Sequence, residues 1–255
     1  MKMTQKTFKI LTLTLVLGVA ATSIAFVIKK EAGYHIEDIA VEIENRVDNF
    51  FIDEEDVMAL VMANERDSVL GDQFGRVDLK EIEQRIESHS FVKDAQVFRD
   101  LKGNLIVRAH QNRPVARLVA DNGKHVYLSE DGEILPISSK YTARVIVLTG
   151  GYLSQVAQLK NVKESKYAKQ LFELVNFINN DRFWSMQLGE INVARNGFIT
   201  MYPQVGRQTL EFGKAEDIEE KFKKLKIFFK EIMPTKGWNT YNRVNVAFED
   251  QIICE

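Results

Sequence analysis

The chain has 255 residues, 45% apolar and 10% aromatic, with a formal net charge of −2. That balance excludes broad electrostatic attraction to nucleic acid or anionic lipid. One cysteine, Cys254, excludes an intramolecular disulfide, so an exported domain must be held by packing alone.

The chain opens on lysines, then runs uncharged from Ile10 to Ile28, and Lys29 and Lys30 follow. As a helix at ~1.5 Å per residue this run measures roughly 28 Å, close to the hydrocarbon thickness of a bilayer. Two readings fit: a single-pass anchor, or a signal peptide cleaved after the small residues Ser23 and Ala25. The run exceeds the ~7–15 residues of a signal-peptide core, which favours the anchor. Lys2, Lys6 and Lys9 outweigh Lys29 and Lys30 offset by Glu31. Residues 1–9 are therefore expected in the cytoplasm, 10–28 in the membrane, 29–35 as a short linker, and the bulk outside.

From Ile36 to Val47, Ile39, Val41 and Ile43 alternate with acidic residues, as in a half-buried strand. Asp53 to Asp56 then precede Val57, Leu60 and Val61, an acidic first turn that marks a helix start. Asp78 to Glu81 resembles a capping box, with Leu79, Ile82 and Ile86 on one helix face. Alternating stretches Phe91–Arg99 and Asn104–His110 flank Lys102-Gly103 and predict a hairpin. Strand, helix, helix, strand, strand, closed by Pro114, is a compact α+β module.

Beyond Pro114 short strands dominate. Asn122-Gly123 and Asp131-Gly132 separate Val115–Val119, His125–Leu128 and Glu133–Pro136, and Arg144–Leu148 follows. A helix is predicted over Ser165–Phe183, with Leu171, Leu174, Val175 and Ile178 on one side. Strands at Met186–Ala194, Phe198–Tyr202 and Gln208–Phe212 lead to a second helix, Glu216–Met233. There Ile218, Phe222, Leu225, Phe229 and Ile232 face inward and Lys221, Lys223, Lys224 and Lys226 face solvent. Tyr241–Cys254 reads as one long β segment.

Catalytic chemistry is not evident. His35, His89, His110 and His125 fit no metal spacing, and one cysteine completes no thiolate site. No nucleophile-elbow, phosphate-loop or dinucleotide motif occurs. Asp53 to Asp56 is better read as a helix cap than as paired acid–base carboxylates, and Cys254 as a small apolar strand residue. No cofactor and no metal is expected.

The order of elements resembles the bacterial division family FtsQ/DivIB, with a POTRA-like first module. Ser90-Phe-Val-Lys-Asp-Ala-Gln-Val97 is similar to the family's Pro-Trp-Val…Ala…Val stretch, and Gln111-Asn-Arg-Pro-Val-Ala116 to its Glu-Arg-x-Pro-Val-Ala junction. Leu210-Glu-Phe-Gly213, Lys221-Phe222 and Val244-Asn-Val-Ala-Phe248 resemble its last elements, and Tyr127-Leu-Ser-Glu-Asp-Gly132 is similar to the Bacteroidetes branch. Gln111 stands where the family usually has Glu, and Ala247-Phe248 where it often has Arg-aromatic. The resemblance implies an α+β protein with a transmembrane helix, a POTRA-like domain over 36–114 and a β-rich domain with two helices over 115–255. It implies a non-enzymatic septal scaffold that binds FtsB and FtsL, with FtsK- or FtsA-linked neighbours at the first module.

A terminal β segment is a candidate edge strand, and edge strands present unpaired N–H and C=O groups to a partner. The candidate contact residues are Tyr241, Val244, Val246, Ala247, Phe248, Glu249 and Ile252, with Phe248 as the anchor. Alternation places Val244, Val246 and Phe248 on one face. The rival reading, a POTRA-bearing translocation or chaperone factor, usually carries repeated POTRA copies, and no internal repeat is present.

Overall fold

A computed structural model describes residues 14–23, 35–45, 49–62 and 69–255. Of the apolar run 10–28, residues 14–23 are helical (α1) and exposed, and 10–13 and 24–28 lie outside the described residues. Among the described residues no helix is long and apolar enough to cross a membrane. The chain divides into two compact units, Met1–Arg46 with Ile52–Gln111, and Val47–Phe51 with Asn112–Glu255.

The first unit has the expected element order. Strand β1 (Ile39–Glu44) is followed by helices α2 (Glu54–Val61) and α3 (Leu79–Glu87), then by β2 (Val92–Arg99) and β3 (Leu105–Gln111). Asp53 and Asp56 cap α2 reciprocally, each carboxylate accepting the other's backbone N–H, and Asp78 accepts from the Glu81 N–H at the start of α3. These bonds satisfy N–H groups that a helix start leaves unpaired. The sheet runs β1-β3-β2, with β1 parallel and β2 antiparallel to β3. Leu105, Val107 and Ala109 of β3 point into a core shared with Val57, Val61, Ile82 and Ile86. Glu42 and Glu44 pair outward with Arg108 and His110.

Glu83 and Glu87 of α3 reach the outer edge of β2, accepting from the N–H groups of Val97 (2.8 Å) and Ala95 (3.4 Å). That edge is therefore occupied by the protein's own carboxylates, a device that discourages strand addition.

In the second unit Pro114, expected to close the first module, is instead the first residue of β4 (Pro114–Ala120). Next come β5 (His125–Ser129), β6 (Ile134–Leu135), β7 (Ile146–Gly150) and a short helix α4 (Leu153–Val156). The helix predicted over Ser165–Phe183 is two helices, α5 (Lys166–Asn180) and α6 (Arg182–Gln187). Asp181 ends the first in an extended conformation and caps the second, accepting from Phe183 and Trp184. Because α6 extends to Gln187, the strand expected from Met186 starts at Leu188, as β8 (Leu188–Val193). Strands β9 (Ile199–Pro203) and β10 (Thr209–Gly213) precede α7 (Ile218–Ile227), which runs through a π segment, Phe228–Ile232, into α8 (Met233–Lys236).

The chain closes with β11 (Arg243–Asn245) and β12 (Ile253–Cys254). The single long strand expected over Tyr241–Cys254 is thus corrected to two short strands and a connecting loop. Asp250 reverses the chain at φ 54°, a left-handed conformation that Asp tolerates better than most residues.

Nine strands form one sheet, β12-β11-β10-β9-β8-β7-β4-β5-β6. Its three central neighbours β8, β7 and β4 are mutually parallel. One face is apolar: Leu118, Leu148, Ile191, Met201, Leu210 and Val244 pack with Leu174, Ile178, Trp184, Phe222 and Leu225 of the helices. Phe222 is the hub, its ring 4.8 Å from Phe177, 4.8 Å from Trp184 and 5.2 Å from Phe212. The other face carries polar residues in cross-strand register, the partly exposed Thr149, Asn192, Thr200 and Glu211 and the buried Asn245. This is the inside–outside division of a one-sided sheet.

Candidate partner-binding edge

The sheet ends on one side at β6. The segment after α4 covers that edge: Ile134 donates to the Lys160 carbonyl (2.9 Å) and Val162 to that of Gly132 (2.8 Å). On the other side it ends at β12.

The hydrogen bonds between β11 and β12 decide which groups of β12 face outward. Arg243 and Glu255 exchange both backbone bonds, at 2.9 Å each. Antiparallel pairs alternate between bonded and non-bonded, so Val244 opposite Cys254 is a non-bonded pair. The N–H and C=O of Cys254 consequently point away from β11, toward the open side. Val244 turns its own groups toward β10, consistent with the bond from Val246 N–H to the Glu211 carbonyl (3.0 Å).

Side chains brace this edge from both faces. On the polar face Glu211 accepts from Arg243 (3.2 Å) and Asn245 (2.6 Å), and Arg243 also pairs with Glu255 at 2.8 Å. From α7, Lys224 Nζ donates to the carbonyl of Phe248 and so ties down the loop between β11 and β12. Lys221 corrects the expectation of a wholly solvated lysine face. It is buried, donates to the Lys214 carbonyl (2.9 Å), and lies 5.1 Å from the centre of the Phe212 ring. Burial lowers its pKa, against the opposing pull of Asp217 and Glu216. The Cys254 thiol is pushed up by burial, so it stays a neutral packing group.

The expected contact residues do not share one strand face. Val244 and Val246 are fully buried in the sheet core. Tyr241 is half-buried, its ring 6.4 Å from that of Phe228, and Ile252 is half-buried against the same core. The Ala247 N–H donates to its own neighbour Asn245 (2.9 Å) rather than to solvent, so it offers no outward donor. Glu249 is exposed, and Phe248 is 51% exposed beside the edge. Phe248, Glu249 and Ile252 are thus accessible, whereas Val244 and Val246 are structural. Sequence reasoning passed over Cys254 as an edge residue, Lys224 as the loop clamp, and the exposed Trp238, whose carbonyl accepts from buried Gln208.

No cluster of three metal-ligating side chains occurs among the described residues. An open groove of about 720 Å³ lies where β4, β7 and β8 begin, lined by Arg113, Arg144, Asn176 and Asn179 among others.

A folded α+β unit is thus followed by a one-sided sheet that ends in a braced edge strand. Residues 113–255 match the family model described as FtsQ/DivIB, C-terminal related, and residues 35–110 match that of a POTRA-like domain. No curated protein matches the chain. The first match alone covers more than half of the sequence, and the chain belongs to the FtsQ/DivIB family, a non-enzymatic scaffold family of cell division.

Proposed function

We propose that this protein is a membrane-anchored scaffold of the division septum that holds FtsB- and FtsL-like proteins by strand addition at β12. The observation that carries the reading is the outward-facing backbone of Cys254 within the domain that matches the family. Main-chain bonds supply affinity in this mode, and neighbouring side chains supply selectivity. Phe248 is the exposed aromatic beside the edge, with Glu249 and Ile252 flanking it. The edges of β2 and β6 are covered, which favours β12 over either of those two.

The apolar run Ile10–Ile28 is the anchor in this reading, with residues 1–9 cytoplasmic and the two units outside. The POTRA-like unit then serves recruitment through FtsK- or FtsA-linked neighbours near the membrane. Titration of the purified full chain in detergent with the purified FtsB–FtsL pair of the same organism tests the scaffold role. A saturable complex supports it, and no complex at tens of micromolar contradicts it. Mass spectrometry of the mature N-terminus tests the anchor, which a start near Phe26 would rule out.

A further inference from the structure

Leu101, at the tip of the β2–β3 hairpin, is fully exposed, at 105% of its reference area. The tip around it is a built turn. The Asp100 carboxylate accepts from the N–H groups of Lys102 and Asn104, each at 2.8 Å, and from Asn104 Nδ2 at 3.0 Å. The backbone bond from Asn104 above all holds that carboxyl below the usual carboxylate range. Gly103 supplies the left-handed φ of 99° that closes the turn. Asp100 and Asn104 shape the tip, and the shape presents a leucine outward at a place where turns usually carry polar residues.

A single exposed leucine is common and by itself needs no partner. Its position in the fold decides the matter. Parallel pairing of β1 with β3 sets the start of β1 beside the hairpin tip. Leu105 donates to the Asp38 carbonyl at 2.8 Å, and a Cβ built on Gly103 would lie 4.0 Å from the His35 carbonyl. The described residues resume at His35, seven residues after Ile28. Seven residues span at most about 25 Å. A second exposed leucine, Leu70, belongs to the same end. The adjacent Gly71 donates to the Ile36 carbonyl and Ile36 to that of Asp72, both at 2.9 Å. Lys102 is exposed next to Leu101, and a lysine beside an apolar side chain suits a headgroup above an acyl boundary. The opposite end of the sheet presents Lys93, Asp94 and Glu44 instead.

We infer that the hairpin tip, through Leu101 and Lys102 with Leu70 beside them, docks into the phospholipid interface of the membrane that holds Ile10–Ile28. The inference rests on that run being an anchor. Docking at a second point would fix the tilt of the first unit over the lipid.

The test uses the full chain in a Cys254→Ser background, reconstituted in phosphatidylethanolamine–phosphatidylglycerol vesicles with doxyl-labelled lipids. A fluorophore is attached in turn at Val19→Cys, Leu101→Cys and Asp94→Cys. The expected result is deep quenching at position 19, shallow quenching at 101, and at least twofold less at 94. Quenching at 19 with equal signals at 101 and 94 overturns tip docking and leaves the anchor standing. An unquenched probe at 19 overturns the anchor, and tip docking with it.

Discussion

Replacing Cys254 with proline discriminates strand addition from side-chain docking. The Cys254 N–H faces away from β11, so proline removes a donor that the protein's own sheet does not use. Edge strands accept proline on their solvent side. The Arg243–Glu255 bonds, at 2.9 Å each, and the Asn245–Ile253 pairing keep the hairpin closed. At a paired interface the loss of one backbone hydrogen bond costs about 0.5–1.5 kcal/mol, and the partner carbonyl left buried and unpaired adds roughly 1–3 kcal/mol. Since 1.4 kcal/mol is tenfold, affinity for the FtsB–FtsL pair should fall by at least about tenfold, measured by calorimetry. The thermal midpoint should stay within about 2 °C, and Cys254→Ala should bind like the parent. Ile253→Pro, which removes an inward donor, should open the hairpin and lower the midpoint. Wild-type affinity for Cys254→Pro would refute pairing at β12.

Lys224→Met should free the loop held at the Phe248 carbonyl. A bond worth about 0.5–1.5 kcal/mol implies about 2–13-fold faster amide exchange over Phe248–Ile252, with the core midpoint little changed. Gly150 sits at φ 110°, and a Cβ there would lie 2.4 Å from the Val193 carbonyl oxygen. Gly150→Ala should therefore cost about 2–4 kcal/mol and lower the midpoint by roughly 5–15 °C in calorimetry. Burial first, then Tyr152 and Glu216, push the Tyr167 hydroxyl up to about 12, and as a neutral phenol it donates to the Gly197 carbonyl. Its folded pKa exceeds the ordinary 10.0, so its contribution is complete below pH 10 and is lost as pH rises through 12. Tyr167→Phe should be less stable than the parent at pH 8 and should flatten the decline between pH 10 and 12 in denaturant titrations. Lys221 acts in the opposite sense below 10.5 and is common to both proteins.

The first unit was legible because its signals are local. Asp53 and Asp78 cap the helices they precede, and the alternation of Leu105, Val107 and Ala109 marks the inner face of β3. The break at Asp181 was also local, an N-cap residue inside an apolar helical pattern, and the pattern hid it. The end of the chain misled for a related reason. Val244, Val246 and Phe248 alternate as one strand would, and only Glu249-Asp250 signals the turn that separates β11 from β12. Lys221 is buried because a carbonyl seven residues upstream and the Phe212 ring receive it, an arrangement that helical spacing does not encode. The order of the nine strands depends on three parallel neighbours joined by crossovers, and alternation within a strand carries no information about those. The outward sense of Cys254 follows from register and became visible only once β12 was paired.

The central claim is that the chain works at the site of division. Fluorescence imaging of the protein fused at its N-terminus, in growing cells of its own organism, tests it most directly. The account predicts a band at midcell that appears as constriction begins and is lost when residues Ile10–Ile28 are deleted. An even signal around the envelope in constricting cells would contradict it.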